Sequence, residues 1–268
     1  MGIFGKLFGN KNEKEESKEE KEIFYAQQDD KMEGAYLKAQ QTFKYFWREL
    51  YWEYRRIVPA QDLAIVKIPF KQKVDGLEDP IVEHMWINEI DFDGEKINGV
   101  LMNAPNELTN VAIGDSVSVA LNEISDWMLA IQGKTYGGYT IQVLRSNMSE
   151  KERKNHDNAW GLDFGDFNDI QVVFEQKEHP ENLIEHPMAK NMAEQAREFF
   201  KENPNEIMVI DENGNNMLHR ESIAGNKTTI DILLELGADK SIKNKKGKTA
   251  FDYAKQLNWE NIVDAVDN

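Results

Sequence analysis

The 268-residue chain has no cysteine. No disulfide can brace it, no thiolate can act as a nucleophile, and no zinc or iron–sulfur cluster can be held on sulfur. No stretch approaches the roughly 18 apolar residues that span a bilayer. The opening MGIFGKLFG is too short and too glycine-broken for the core of a signal peptide. These absences predict a cytoplasmic protein. Positive charge is scarce as well, since 32 Lys and Arg stand against 48 Asp and Glu, a formal net charge of −16. Binding to a phosphate backbone needs clustered cations that release counterions, so nucleic acid is disfavoured as a partner. Catalytic signatures are missing. The chain has no GxxxxGK or GxGxxG phosphate loop and no Gly-x-Ser-x-Gly elbow. Its histidines, His84, His156, His179, His186 and His219, include no pair at i and i+4 with a third ligand nearby, so neither a metal nor a cofactor is expected.

What is present is 40% apolar residues, enough for a real core. From Glu83 to Arg145 apolar and polar residues exchange with short period between turn residues: EHMWINEIDFDG, GVLMNAP, GDSVSVALNEISDWM, GGYTIQVLR. This pattern predicts four strands of an antiparallel sheet. DLAIVKIPF (62–70) and DIQVVFEQ (169–176) read as two more strands. Between Ala35 and Ile57, Tyr36, Phe43, Phe46, Trp47, Leu50, Tyr54 and Ile57 recur every three or four residues, a helical face able to cover a sheet, and Pro59 ends it. Tyr45 and Trp52 form a second stripe on that helix, suited to a loop, a second domain or a partner. Ser149 and Glu152 are spaced as a capping box for a short helix, and the loop NAWGLDFGDFND carries three aromatics that need cover. The expected fold is α+β, a long helix on a curved antiparallel sheet, with a small closed barrel as the alternative.

Three segments are predicted: residues 1–34 as a charged flexible N-terminal arm, 35–178 as the α+β domain, and 187–268 as a cap helix with two repeats. The arm holds Ile3, Phe4, Leu7 and Phe8, then four Lys and six Glu between Lys11 and Glu22. Over roughly Ala35 to Gly165 the chain resembles a YegJ-like bacterial domain family of unknown function. The likeness rests on Phe43, Glu83-His84-Met85-Trp86, Gly99, Asn103, Pro105, Gly114, Asp126-Trp127-Met128 and Gly137-Gly138-Tyr139-Thr140.

Pro187 suits the first turn of a helix running from Met188 to Lys201. A 33-residue period follows, aligning Gly214 with Gly247, Leu218 with Phe251 and Ile230 with Val263. With Leu218, His219, Gly225, Ile230, Leu233, Leu234, Gly237, Ala238 and Asp239 in the first copy, it resembles ankyrin repeats. The copies depart from the family pattern at Asn216, Met217, Glu221-Ser222 and Asp252. Two repeats do not bury a solenoid core unaided, so the preceding helix is expected to cap them.

The resemblance implies binding of another protein through finger tips and concave helices. Candidate contacts are Asn213, Asn215, Asn216, His219, Lys243, Lys245 and Lys246, with Tyr45 and Trp52 as an apolar alternative. Residues 83–186 carry 19 acidic against 7 basic side chains, a net −12, whereas 240–248 holds five Lys and no acid. A non-enzymatic binding protein with a basic protein partner is the resulting expectation, for instance an immunity-type protein masking a basic toxin. The Lys finger would then meet an acidic patch on that partner or on the chain's own first domain. The competing reading is an enzyme using Glu83, His84 and Asp126 as an acid–base cluster across neighbouring strands. Asp91-Phe-Asp93-Gly94 and Asp211-Glu-Asn213-Gly214 each hold only part of a calcium loop, and are read as a hairpin turn and a finger tip.

Overall fold

The computed structural model describes residues 30–267; the readings made for residues 1–29 lie outside it. Helix α1 (Asp30–Glu53) begins five residues earlier than its apolar pattern, with Asp30 and Glu33 in its first turn, where the helix dipole favours anions. It ends ahead of Ile57, leaving that side chain outside the helix.

Six strands follow: β1 (Gln61–Gln72), β2 (Ile81–Phe92), β3 (Lys96–Leu101), β4 (Ser116–Ala120), β5 (Asp126–Ile131) and β6 (Lys134–Gly137). They form one antiparallel sheet in the order β4-β3-β2-β1-β5-β6. No pairing joins β4 to β6, so the sheet is open rather than a barrel. Its curvature has a local cause. Between Asn88 and Asp91 the β2–β3 register shifts by one residue, where Glu89 has a φ of 52°; such a bulge bends the strand. Gly99 lies across from it, and a Cβ there would come within 2.7 Å of the Asn88 carbonyl oxygen.

Two sequence expectations fail. GGYTIQVLR is not a strand: Tyr139–Ser146 is helix α2. Gly137 and Gly138, both at positive φ, turn the chain, and the Asp126 carboxylate accepts the backbone N–H of Tyr139 (3.0 Å) and Thr140 (2.8 Å). That cap comes from another strand, so the local pattern misses it. DIQVVFEQ is not a strand either. Its only backbone pairing with the sheet among those described is Gly137 N–H to the Gln171 carbonyl, while the Gln176 side chain takes the Val172 N–H. Val172 and Val173 are nevertheless buried.

The α1 side of the sheet packs Phe43, Phe46 and Trp47 against Phe92, Trp127 and Leu129. On the opposite side Ile65, Met128 and Ala130 meet Ile141 of α2, Leu162 and Phe164. Helix α3 (Glu150–Trp160) starts at the predicted Ser149–Glu152 capping box.

The expected cap helix is broken at Met192 into α4 (Pro187–Asn191) and α5 (Ala193–Glu202). Four helices then come as two pairs, α6 (Met217–Ala224) with α7 (Lys227–Glu235), and α8 (Ala250–Gln256) with α9 (Glu260–Asp267). The pairs repeat at the 33-residue offset read from the sequence. One continuous cluster of buried residues runs from the sheet through α1 into these pairs.

Candidate functional site

Glu83, His84 and Asp126 do not assemble into an acid–base cluster. Consecutive residues of a strand point to opposite faces, which separates Glu83 from His84. Glu83 accepts the backbone N–H groups of Asn106 (2.9 Å), Glu107 (2.6 Å) and Leu108 (2.9 Å), and these bonds hold its pKa below the ordinary value against a contrary effect of burial. His84 stacks on Tyr36 at 5.5 Å, and its Nδ1 lies 2.7 Å from Ser125 Oγ. Partial burial, with Lys67 and Lys71 nearby, pushes its pKa down to about 4. Ser125 is 2% exposed, so its hydroxyl is closed to a substrate. Asp126 is fully buried beneath the start of α2, where burial pushes its carboxyl up while Lys67 and the Thr140 hydrogen bonds pull it back.

Of the residues nominated for partner contact, Tyr45 and Trp52 lie at a seam between α1 and the repeats. Tyr45 meets Trp259 edge-on at 5.6 Å. The Trp52 indole N–H donates to Asn226 Oδ1 at 2.9 Å, and its ring stacks on His186 at 5.6 Å. The side of α1 facing the repeats is unusually polar for a buried surface. Arg48 is fully buried, donates to the carbonyls of Asn182 and Leu183, and lies 5.3 Å from the Tyr45 and Trp259 rings. Glu49, also buried, lies 3.2 Å from His186 Nε2. Because His186 Nδ1 accepts the Met188 N–H, the proton belongs on Nε2 and points at that carboxylate. Glu221 is fully buried, accepts from Tyr51 Oη (3.0 Å) and Asn226 Nδ2 (2.8 Å), and pairs with Arg55.

The seven other nominated residues lie within the repeats themselves. Asn216 caps α6 on the His219 N–H, and His219 Nε2 reaches the Lys248 carbonyl at 3.0 Å. Asn215 accepts from Asn244 Nδ2 at 2.7 Å, and the Asn213 carbonyl accepts the Lys245 N–H at 3.0 Å. These bonds stack one finger on the next. Lys243 remains exposed, and Lys245 Nζ caps the Glu212 carbonyl.

The lysine finger meets the chain's own first unit. Lys246 Nζ lies 2.8 Å from Asp93 and 2.9 Å from Glu95, and Lys248 also pairs with Glu95. Asp93 and Gly94 form the β2–β3 turn, as the sequence suggested. Tyr253 covers Gly94 so closely that a Cβ there would fall 2.5 Å from its ring, and Gln256 donates to the Gly94 carbonyl at 2.7 Å. Burial raises the Asp93 pKa, but Lys246 and the N–H groups of Lys96 and Glu95 more than offset this; Lys248 and then Lys246 lower that of Glu95.

Beyond the seam, an open groove of about 810 Å³ runs between the end of α1 and the cap helices. Ile57 (99% exposed), Val58 (75%) and Phe199 (49%) line it with Met188, Met192 and Met217. Periodicity placed Ile57 on the helical face that covers the sheet; only the tertiary arrangement reveals it as surface. Glu194, Glu198 and Glu202 are exposed and spaced by four along α5, but the charged residues that line the groove are Arg55, Arg56 and Glu221. A polar hollow of about 320 Å³ beside β6 is also acidic, but Asp163, Asp166 and Asp169 are engaged locally with Gly165, Asn168 and Lys177.

The architecture is that of a bacterial α+β unit whose long helix carries ankyrin repeats. Residues 29–164 match the family described as "Uncharacterized protein conserved in bacteria (DUF2314)", and the chain belongs to that family. It is 49% identical over 246 residues to a putative ankyrin repeat protein of Neisseria meningitidis serogroup B, covering 91% of this chain and 96% of that protein. It is 36% identical over 70 residues to the uncharacterized protein YegJ of Escherichia coli K12, covering 26% of this chain and 46% of that one. Among the described residues no helix is long and apolar enough to cross a membrane.

Proposed function

We propose that this chain is a non-enzymatic, cytoplasmic protein-binding protein whose partner enters the groove between α1 and α5. The observation that carries the proposal is the exposure of Ile57, Val58 and Phe199 in one continuous apolar channel. Soluble proteins rarely leave such patches open without a binding role. An amphipathic helix fits this surface, with its apolar stripe against Ile57, Met192 and Phe199. Basic residues on its polar face would answer the excess of acid over base in the chain. Net charge favours the same partner chemistry, because Lys246 and Lys248 are already neutralised by Asp93 and Glu95. A basic toxin restrained by an immunity-type protein is one partner with these properties. The nominated residues of the finger and of α1 then act indirectly, by holding the repeats where they form one wall of the groove.

Site-specific photocrosslinking in the native bacterium tests this. A benzophenone side chain at position 57 or 199 should capture a protein with a basic amphipathic segment, and Phe199→Glu should abolish capture from position 57. Equal capture from a control at the distant, exposed Ile113, or capture unaffected by Phe199→Glu, would overturn the assignment.

A further inference from the structure

The two edges of the sheet are finished differently. At the β6 edge the outward backbone groups are answered: the N–H of Thr135 donates to the Asp163 carbonyl (2.9 Å), that of Gly137 to the Gln171 carbonyl (2.9 Å), and that of Asp163 to the Gly133 carbonyl (2.7 Å). The β4 edge has no such cover. Leu121 N–H donates to the Glu95 carbonyl and the Asp115 carbonyl accepts the Leu101 N–H, so the odd-numbered residues of β4 face β3 and the even-numbered ones face away. Of the latter, Ala120 gives its N–H to the Glu123 carboxylate at 2.9 Å. Among the described residues the outward N–H and carbonyl groups of Ser116 and Ser118 have no protein partner, and both residues are exposed. Proteins guard a free edge with lysine, proline, a bulge or a covering segment. Strand β4 (SVSVA) has neither lysine nor proline, and its register with β3 runs from Lys96–Ala120 to Val100–Ser116 without a shift.

We infer that β4 is the interface of a symmetric dimer, in which a second copy of the chain adds its own β4 antiparallel about a two-fold axis at Val117. The bare groups themselves set this register. It puts Ser116 opposite Ser118 of the second copy and Ser118 opposite Ser116, so every bare N–H meets a bare carbonyl and the capped Ala120 is left out. The pattern maps onto itself, as a two-fold interface requires. Val117, which packs partly buried against the core, meets its counterpart in a close, non-hydrogen-bonded pair of the kind that favours β-branched side chains. Charge points to the same occupant. Residues 116–120 carry none, and the nearby Glu95 is neutralised by Lys246 and Lys248. Two copies therefore meet along a neutral strip although each carries −16, whereas a basic partner finds no acid on this strand. Strand β4 shares no residue with the groove, and the dimer does not depend on the function proposed there.

Sedimentation equilibrium of the full chain up to about 1 mM tests this, because so small an interface gives a dissociation constant on the order of 100 µM. The mass should rise from one chain to two and stop there. Added salt should tighten the dimer, since two acidic chains repel and salt screens that repulsion. Hydrogen exchange at the Ser116 and Ser118 amides should slow as the chain concentration rises. Ser118→Pro removes an N–H that makes no bond to β3, so it should weaken the dimer about tenfold or more while sparing the chain's own ladder. Should that variant fail to fold, Ser116→Lys with Ser118→Lys sets like charges opposite one another across the junction and should weaken it as much. That pair lowers the net negative charge, so its effect cannot come from added overall repulsion. Phe199→Glu in the groove should leave the dimer intact. A chain that stays monomeric throughout the range overturns the inference. So does a dimer in which the two amides exchange as fast as in the monomer, one indifferent to the β4 substitutions, or one lost with Phe199→Glu.

Discussion

The two sides of α1 are buried by different means. Towards the sheet, Phe43 and Phe46 pack on Phe92 and Trp127, with neutral polar contacts that include the Trp127 indole N–H to the Ala39 carbonyl and Thr42 Oγ1, Gln40 to the Ile124 carbonyl and Tyr54 to the Ile90 carbonyl. Towards the repeats, the helix buries Arg48 and Glu49, and the Glu221 network meets it from α6. Apolar burial is non-directional and proportional to area. Hydrogen-bonded charges offer less net stabilisation, because their desolvation offsets much of the attraction. They do, however, tie each partner to a fixed geometry. The first side thus supplies most of the stability of the fold, while the second sets the angle at which the repeats sit and hence the shape of the groove.

Substitutions on the two sides should separate these contributions. Trp127→Ala on the sheet side should cost about 3–5 kcal/mol and lower the urea midpoint of the whole molecule. Glu221→Ala strands Arg55, Tyr51 and Asn226 together. It should cost about 3 kcal/mol, with the loss of hydrogen-exchange protection centred on residues 217–263; uniform loss would erase the distinction drawn here. Gly94→Ala, which forces a Cβ against Tyr253 at a φ of 94°, should cost about 1–3 kcal/mol and also loosen the repeats first.

Acid should weaken the same seam. Asp93 and Glu95 have lowered pKa values in the fold, so their contribution is complete above ordinary carboxyl values and fades as pH falls through the lowered ones. The melting midpoint should therefore drop more steeply below about pH 4 in the native chain than in a Lys246→Met, Lys248→Met variant. Since these pairs are partly exposed, the difference should stay near 1 kcal/mol or less. Lys245→Ala should change stability least, by about 0.5 kcal/mol at most, because its Nζ does no more than cap the exposed Glu212 carbonyl.

Legibility in the sequence followed the range of the interactions involved. The α1 stripe, the Ser149–Glu152 box, Pro187 at a helix start and the 33-residue period all depend on neighbours within a turn or on a repeated copy, and all are present in the structure. The α2 helix was misread because its cap, Asp126, lies 13 residues before Tyr139 and acts across a strand pair. Segment 169–176 alternates like a strand, yet it buries Val172 and Val173 without joining a ladder. Of the candidate site residues, the sequence marked Tyr45, Trp52 and the lysine finger as unusual. It carried no signal that Glu221 and Asn226 of the first repeat would hydrogen-bond to Tyr51 and Trp52 of α1.

The sequence by itself determined an acidic, cysteine-free α+β protein with a long amphipathic helix and two ankyrin-type repeats, because periodicity, capping and repetition are written locally. The tertiary structure decided what those elements do to one another. Lys246 and Asp93 are 153 residues apart, and no local pattern specifies that a finger able to face a partner should close on its own chain. That contact, together with the polar side of α1, leaves Ile57 and Phe199 as surface rather than core. Their exposure is a property of how two packed units meet, which neither unit's hydrophobic pattern contains.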